Sequence, residues 1–213
     1  VALPTIIPRL KLNMAAEAER RILSNSIDRL VKAGAYGTAF DLYKQAIPNA
    51  APPTALRNGN FEQDGMLPPF DWQLTDNEGL SGAIEPLDTP EGGRALHVSA
   101  ECRSEGVAAR QLLILPAGQY RFGARVGGIA AADRPQIRVT CAIAKGAQGA
   151  TLLTQPMPET PSGQAKVGGN FSVPQTDCGA QWVSIFVPGS LERRSQTPWV
   201  DDLVVRRVEG NPK

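Results

Sequence analysis

The sequence predicts a mainly β protein, an antiparallel two-sheet sandwich preceded by a two-helix segment. Three observations carry this. The apolar period changes from helical to two-residue alternation near Pro52-Pro53. Several later segments alternate strictly between apolar and polar side chains. Gly and Pro clusters punctuate the rest at strand-like intervals, with no long helical pattern between them.

In chain order, residues 13–34 read as a helix. Leu23, Ile27, Leu30 and Val31 share one stripe, Glu17 and Glu19 lie in early turns, and Gly34 suits the position after the last turn. A second helix is expected over 37–47, with Phe40, Tyr43 and Ile47 on its apolar face and Pro48 stopping it. Residues 51–55 then form a short stiff linker, so the expected organisation is a helical segment over 1–50 and a sandwich over 56–209.

Within the sandwich, Leu96, Val98 and Ala100 alternate with His97 and Ser99. Tyr120, Phe122, Ala124 and Val126 alternate with Arg121, Gly123 and Arg125. Ile137, Val139, Cys141 and Ile143 alternate with Arg138 and Thr140. Such segments bury one face and leave the other polar. Residues 107–115 and 182–187 are apolar on both faces and suit central strands. Residues 145–169, rich in Gly, Pro, Gln and Thr, read as a long loop with a minor strand around Leu152-Leu153.

Composition excludes some roles. The net charge is +1, with +3 on residues 1–50 and −2 on the remainder, so nothing favours nucleic acid as a partner. No apolar run reaches the ~20 residues of a membrane-spanning helix. The opening, Val1 to Leu12, is broken by Pro4 and Pro8 and lacks the pattern of a signal peptide. The expectation is a mature fragment, with any export signal upstream. A catalytic triad would need the single histidine, His97, which sits mid-strand. No nucleophile elbow, phosphate loop or zinc-protease motif accompanies it, so the expectation is no enzyme.

Two resemblances add to this reading. Gly34, Tyr36, Ala39, Tyr43 and Ala46 are spaced as in the middle of a tetratricopeptide repeat, although a plain helical hairpin has the same pattern. One repeat cannot bury its own face, so either further repeats precede it or the pair packs on the sandwich. In the second part, four motifs occur in order over about 150 residues: Asn58-Gly59-Asn60-Phe61-Glu62 with Phe70-Asp71-Trp72; Gly92-Gly93-Arg94-Ala95-Leu96; Leu115-Pro116-Ala117-Gly118-Gln119-Tyr120; and Pro198-Trp199-Val200-Asp201-Asp202. Together they resemble the jelly-roll carbohydrate-binding modules, of galactose-binding-like type.

The resemblance implies a jelly roll whose first and last strands adjoin. It also implies one structural calcium held by Glu62 and Asp201 or Asp202, since calcium takes about six to eight oxygen ligands. Of the three cysteines, a bridge between Cys141 and Cys178 would tether the segment 145–169, and the resemblance places both near the sandwich centre. Three reduced thiols remain the alternative from counting alone. Trp72, Trp182 and Trp199 stand at positions that are normally packed, which leaves few rings for stacking on sugar.

The remaining candidate ligand contacts are Arg121, Arg125, Arg138 and His97, with Arg110 nearby. If these strands adjoin, they make a basic polar face suited to carboxylates. The expected function is a non-catalytic binding module for polysaccharide, acidic polysaccharide in particular, in a bacterial periplasmic or cell-envelope protein. The alternative is a structural or protein–protein interaction module that binds no glycan.

Overall fold

A computed structural model of the chain describes residues 17–47, 50–63, 67–89, 92–130, 134–144, 148–191 and 197–208. The expected helix start at Asn13 and the stop at Pro48 lie outside the described residues. Two helices, α1 (Glu17–Lys32) and α2 (Tyr36–Ala46), come first. Eleven strands follow: β1 (Gln73–Leu74), β2 (Asp76–Asn77), β3 (Leu80–Pro86), β4 (Arg94–Ala100), β5 (Gly106–Leu113), β6 (Gly118–Ile129), β7 (Gln136–Ala142), β8 (Gln148–Pro156), β9 (Thr160–Val173), β10 (Gln181–Val187) and β11 (Trp199–Arg207).

They form two sheets, with strand orders β1-β5-β10-β7-β8 and β2-β3-β4-β11-β6-β9. Every pairing is antiparallel. The expected antiparallel sandwich is what forms, and its core lies where the alternation puts it, except that β7 ends at Ala142 and leaves Ile143 exposed. Leu96, Val98, Tyr120, Phe122 and Val126 of one sheet meet Ile137, Val139, Val183 and Ile185 of the other, all buried.

The opening motif lies beside the last strand but forms no strand itself, and the first strand, β1, belongs to the sheet opposite β11, so the expected adjoining of first and last strands is corrected. The Leu203 amide donates to the Gly59 carbonyl at 2.8 Å. A side chain at Gly59 would put its Cβ 1.9 Å from the Leu203 carbonyl oxygen, so only glycine permits this approach. Trp72 donates its indole N–H to the Asn58 carbonyl at 3.0 Å and is fully buried against Phe61.

The segment 145–169 corrects the expected loop. It holds β8 and most of β9, the edge strands of the two sheets. In β9, Val167, Phe171 and Val173 are buried, while Lys166, Gly168, Asn170 and Ser172 are exposed. An edge strand contributes one thin apolar row, and its glycines and polar residues resemble loop composition. Cys141 and Cys178 are joined by a disulfide within the sandwich core, and Cys102 stands outside it, exposed.

The helical pair does not stand apart. Gly34 ends α1 at φ +77°, with its amide on the Val31 carbonyl and the Ala35 amide on the Leu30 carbonyl, both at 2.9 Å. The faces of the two helices then close on the end of the five-stranded sheet. Leu23, Ile27, Phe40, Leu42 and Tyr43 pack with Phe70, Leu112, Ala142 and Ala180. The linker is docked as well, with the Ile114 amide donating to the Pro53 carbonyl at 2.8 Å.

At the centre of this junction Arg57, 8% exposed, pairs with Asp71 through Nε at 3.3 Å and donates to the Phe70 carbonyl. Its guanidinium lies 4.8 Å from the Tyr43 ring centroid, with Phe40 and Phe70 on other sides. Tyr43 donates its hydroxyl to Asp71 at 2.9 Å. Burial raises the Tyr43 hydroxyl far above the usual phenol range, with Arg57 opposing the shift and Asp71 adding to it.

Two outcomes follow for stability. Asp71→Ala leaves Arg57 charged and buried without its partner, and is expected to cost about 3–5 kcal/mol in urea unfolding; a loss under 1 kcal/mol would show the pair to be incidental. Unreduced native protein should take up one alkyl group, at Cys102, and three after reduction and unfolding. Cys141→Ala with Cys178→Ala should lower stability by about 3–4 kcal/mol.

Candidate binding groove

The two sheets turn different chemistry outward. On the five-stranded sheet, register aligns one polar row across all five strands. Gln73 of β1 lies opposite Arg110 of β5, which lies opposite Ser184 of β10; Ser184 in turn faces Arg138 of β7, and Arg138 faces Thr154 of β8. Two residues either way along β10, on the same face, stand Trp182 and Phe186, both half-buried.

Each ring carries a guanidinium. Arg110 lies 4.3 Å from the Trp182 ring centroid and Arg138 lies 3.3 Å from that of Phe186. A glutamine oxygen orients each one: Arg110 Nε donates to Gln73 and Arg138 Nε to Gln136, both at 2.9 Å. Burial lowers both arginines' proton affinity, and the charges of Asp28 and Glu105 respectively oppose the shift.

This floor becomes a groove of about 620 Å³ because α1 walls it. Ser24, Asn25, Asp28, Val31 and Lys32 line it from the helix, with Tyr36 at the start of α2 and Pro68-Pro69 at the β1 side. Residues 24–32 cover about 12 Å of helix. Asp28 is paired with Lys32 at 2.6 Å, one turn on.

The six-stranded sheet presents the other outer face, and it divides the expected ligand residues. Arg121, Arg125 and His97 lie there, on β6 and β4. Arg138 and Arg110 lie on the opposite sheet, so the five do not form one basic patch. They were grouped on alternation, which says that a side chain leaves the core but not which sheet it leaves.

Arg125 is also engaged. Its Nη2 pairs with Asp201, and its Nε lies 3.3 Å from Asp202. Arg121 is exposed, with Arg206 and Asn170 opposite it on the flanking strands. His97 is half-buried beside Trp199 of β11, and its Nε2 is buried without a hydrogen-bond partner. Burial lowers its pKa, against a smaller pull from Glu85.

Trp199 is packed, as expected, 8% exposed with Leu87 and Ala95. A Cβ on Gly127 would fall 2.3 Å from its indole, so the ring lies on bare backbone. Trp72 is packed too. Trp182 is not: it is half-buried and lines the groove.

No protein-family model matches the sequence, and neither does any curated protein. Solved structures do match. The CBM22-1 xylan-binding domain of Paenibacillus barcinonensis Xyn10C superposes with TM-score 0.50 at 13% identity, covering 76% of this chain and 100% of that domain. A CBM4 structure gives TM-score 0.51 at 15% identity, over 72% of this chain and 99% of the other. The CBM22-1–GH10 modules of Clostridium thermocellum xylanase 10B, complexed with xylohexaose, give 0.50 at 13%, covering 70% and 28%. The fold is the antiparallel jelly-roll sandwich that these solved structures share.

The acids expected to hold calcium in the module have other partners. Glu62 accepts the Arg94 amide at 2.7 Å, and Asp201 accepts the Asp202 amide at 2.7 Å as well as Arg125. Among the described residues no three His, Cys, Asp or Glu gather as a metal site. Arg125 lies on both Asp201 and Asp202, so a calcium ion held by Glu62 and either of them would compete with its guanidinium.

The module's groove was half visible in the sequence. Trp182, Ser184 and Phe186 alternate on one face of a strand read as apolar throughout. That alternation, with Arg138 on a polar face, was the available signal. The wall from α1 had none.

His97 makes the module's stability depend on pH. Its pKa is lower folded than unfolded, so between that lowered value and about 6.5 the unfolded chain binds more protons and stability rises with pH. Urea midpoints should therefore fall as pH drops from 7 through the His97 pKa. His97→Gln should reduce the slope over that interval.

Proposed function

We propose that this is a polysaccharide-binding module that holds its ligand in the groove between the five-stranded sheet and α1. One observation carries the reading: Trp182 and Phe186 bracket a lateral row of hydrogen-bonding side chains on a concave face. Sugar rings present C–H surface on their faces and hydroxyls around their edges. The groove offers the Trp182 and Phe186 rings with the guanidinium planes stacked on them for the first, and Ser184, Thr140 and Gln73 for the second. Binding sites of this kind combine apolar walls with a few convergent polar groups. On the six-stranded face the tryptophan, Trp199, is packed.

The proposed setting is the bacterial envelope or periplasm, in a protein that handles polysaccharide. The Cys141–Cys178 bridge supports an oxidising compartment.

The test is a glycan array followed by calorimetry on whichever polysaccharide binds. Trp182→Ala should weaken binding by about 2 kcal/mol, roughly thirtyfold, as truncation of a central aromatic anchor does. Arg121→Ala, on the far face, should leave binding unchanged. Circular dichroism and melting of both variants separate lost binding from lost fold. Equal binding by wild type and Trp182→Ala, or loss on Arg121→Ala alone, would reject the groove.

A further inference from the structure

Resting on the groove as the binding site, we propose that its ligand is a uronate-containing polysaccharide, whose carboxylates are taken by Arg110 and Arg138.

The two arginines flank Ser184, one strand away on either side, so their Cα atoms are about 10 Å apart across the groove floor. Each is held in place by an aromatic ring and a glutamine at Nε. Neither ion-pairs with an acid, and their Nη groups have no protein acceptor among the described residues. A guanidinium fixed this way presents its fork without losing further side-chain freedom, and a carboxylate matches the fork with two parallel hydrogen bonds.

The electrostatics of the groove agree. Its lining holds three cations, Arg110, Arg138 and Lys32, and one acid, Asp28, which is already paired with Lys32. Asp28 and Glu105 act on the arginines only at a distance. The opposite sheet handles its inward-leaning arginine differently, since Arg125 has Asp201 and Asp202 on it. Two half-buried guanidinium groups with no ion-paired acid among the described residues, on either side of a buried serine, are a site for an anionic ligand. A neutral glycan would leave both charges partly desolvated and unpaired, which is costly.

The experiment uses oligogalacturonate and the same oligomer with its carboxyl groups reduced, titrated into the whole chain. The acidic oligomer should bind at least tenfold more tightly at low salt, and the difference should shrink as salt rises. Arg110→Gln with Arg138→Gln should remove that preference, so that the two oligomers bind alike. Arg110→Lys with Arg138→Lys, which keeps charge but not the fork, should fall between. Melting curves confirm folding, and the lysine pair keeps the test open if the glutamine pair unfolds.

Equal affinity for the two oligomers, or a preference that survives both double variants, would overturn the uronate assignment. If binding still depended on Trp182, the groove would stand. Glycan binding that is indifferent to Trp182, or no glycan binding at all, would overturn both.

Discussion

The arrangement of this molecule depends on one buried ion pair, Arg57 with Asp71, at the junction of helices, linker and sandwich. Arg57 reaches all three. Its Nη1 donates to the Ala51 carbonyl in the linker at 3.3 Å, and its guanidinium lies among Phe40 and Tyr43 of α2 and Phe70 of the sandwich. Its backbone exchanges two hydrogen bonds with Gln111 of β5, at 2.7 and 2.9 Å. Asp71 accepts from the Leu67 amide and the Tyr43 hydroxyl as well as from Arg57. A charge at this depth is tolerable only when such partners are present together, because half a pair costs more than none. That makes the junction directional in a way that apolar packing by itself is not.

The groove is a consequence. The end of the five-stranded sheet carries Leu112, Ala142 and Ala180 outward, an apolar patch that water would otherwise cover. The helices close it, and their position is set by the ion pair. Because α1 extends past the patch, its polar side from Ser24 to Lys32 stands over the rest of the sheet. A helix that covers core therefore also becomes a wall of the groove. It is also how a single repeat-like hairpin buries a face that a stack of repeats would otherwise cover.

The two outer faces show how the same residue type takes different roles by its neighbours. On the six-stranded sheet Arg125 is neutralised by adjacent acids and Trp199 lies over the bare backbone of Gly127, so cation and ring are both absorbed into the structure. On the five-stranded sheet the arginines rest on rings whose other neighbours are a serine and glutamines. Sheet register decides the difference, because it sets which side chain of the next strand stands opposite.

The sequence by itself determined the change from helix to strand near Pro52-Pro53 and the inward and outward sides of β4, β6 and β7. These follow from local periodicity and from backbone constraints that each residue carries with it. It hinted at the Cys141–Cys178 bridge, which only the proximity of two separate strands could decide. It misread β8 and β9, whose single thin apolar row and many glycines look like loop until a partner strand supplies the other half of the pattern. It grouped Arg138 with Arg121, Arg125 and His97 because alternation gives the side of a strand, not the sheet. The row from Gln73 to Thr154 joins five strands that lie far apart in the chain. Antiparallel pairing alone brought them into line, so the tertiary structure and not the sequence decided where the groove lies.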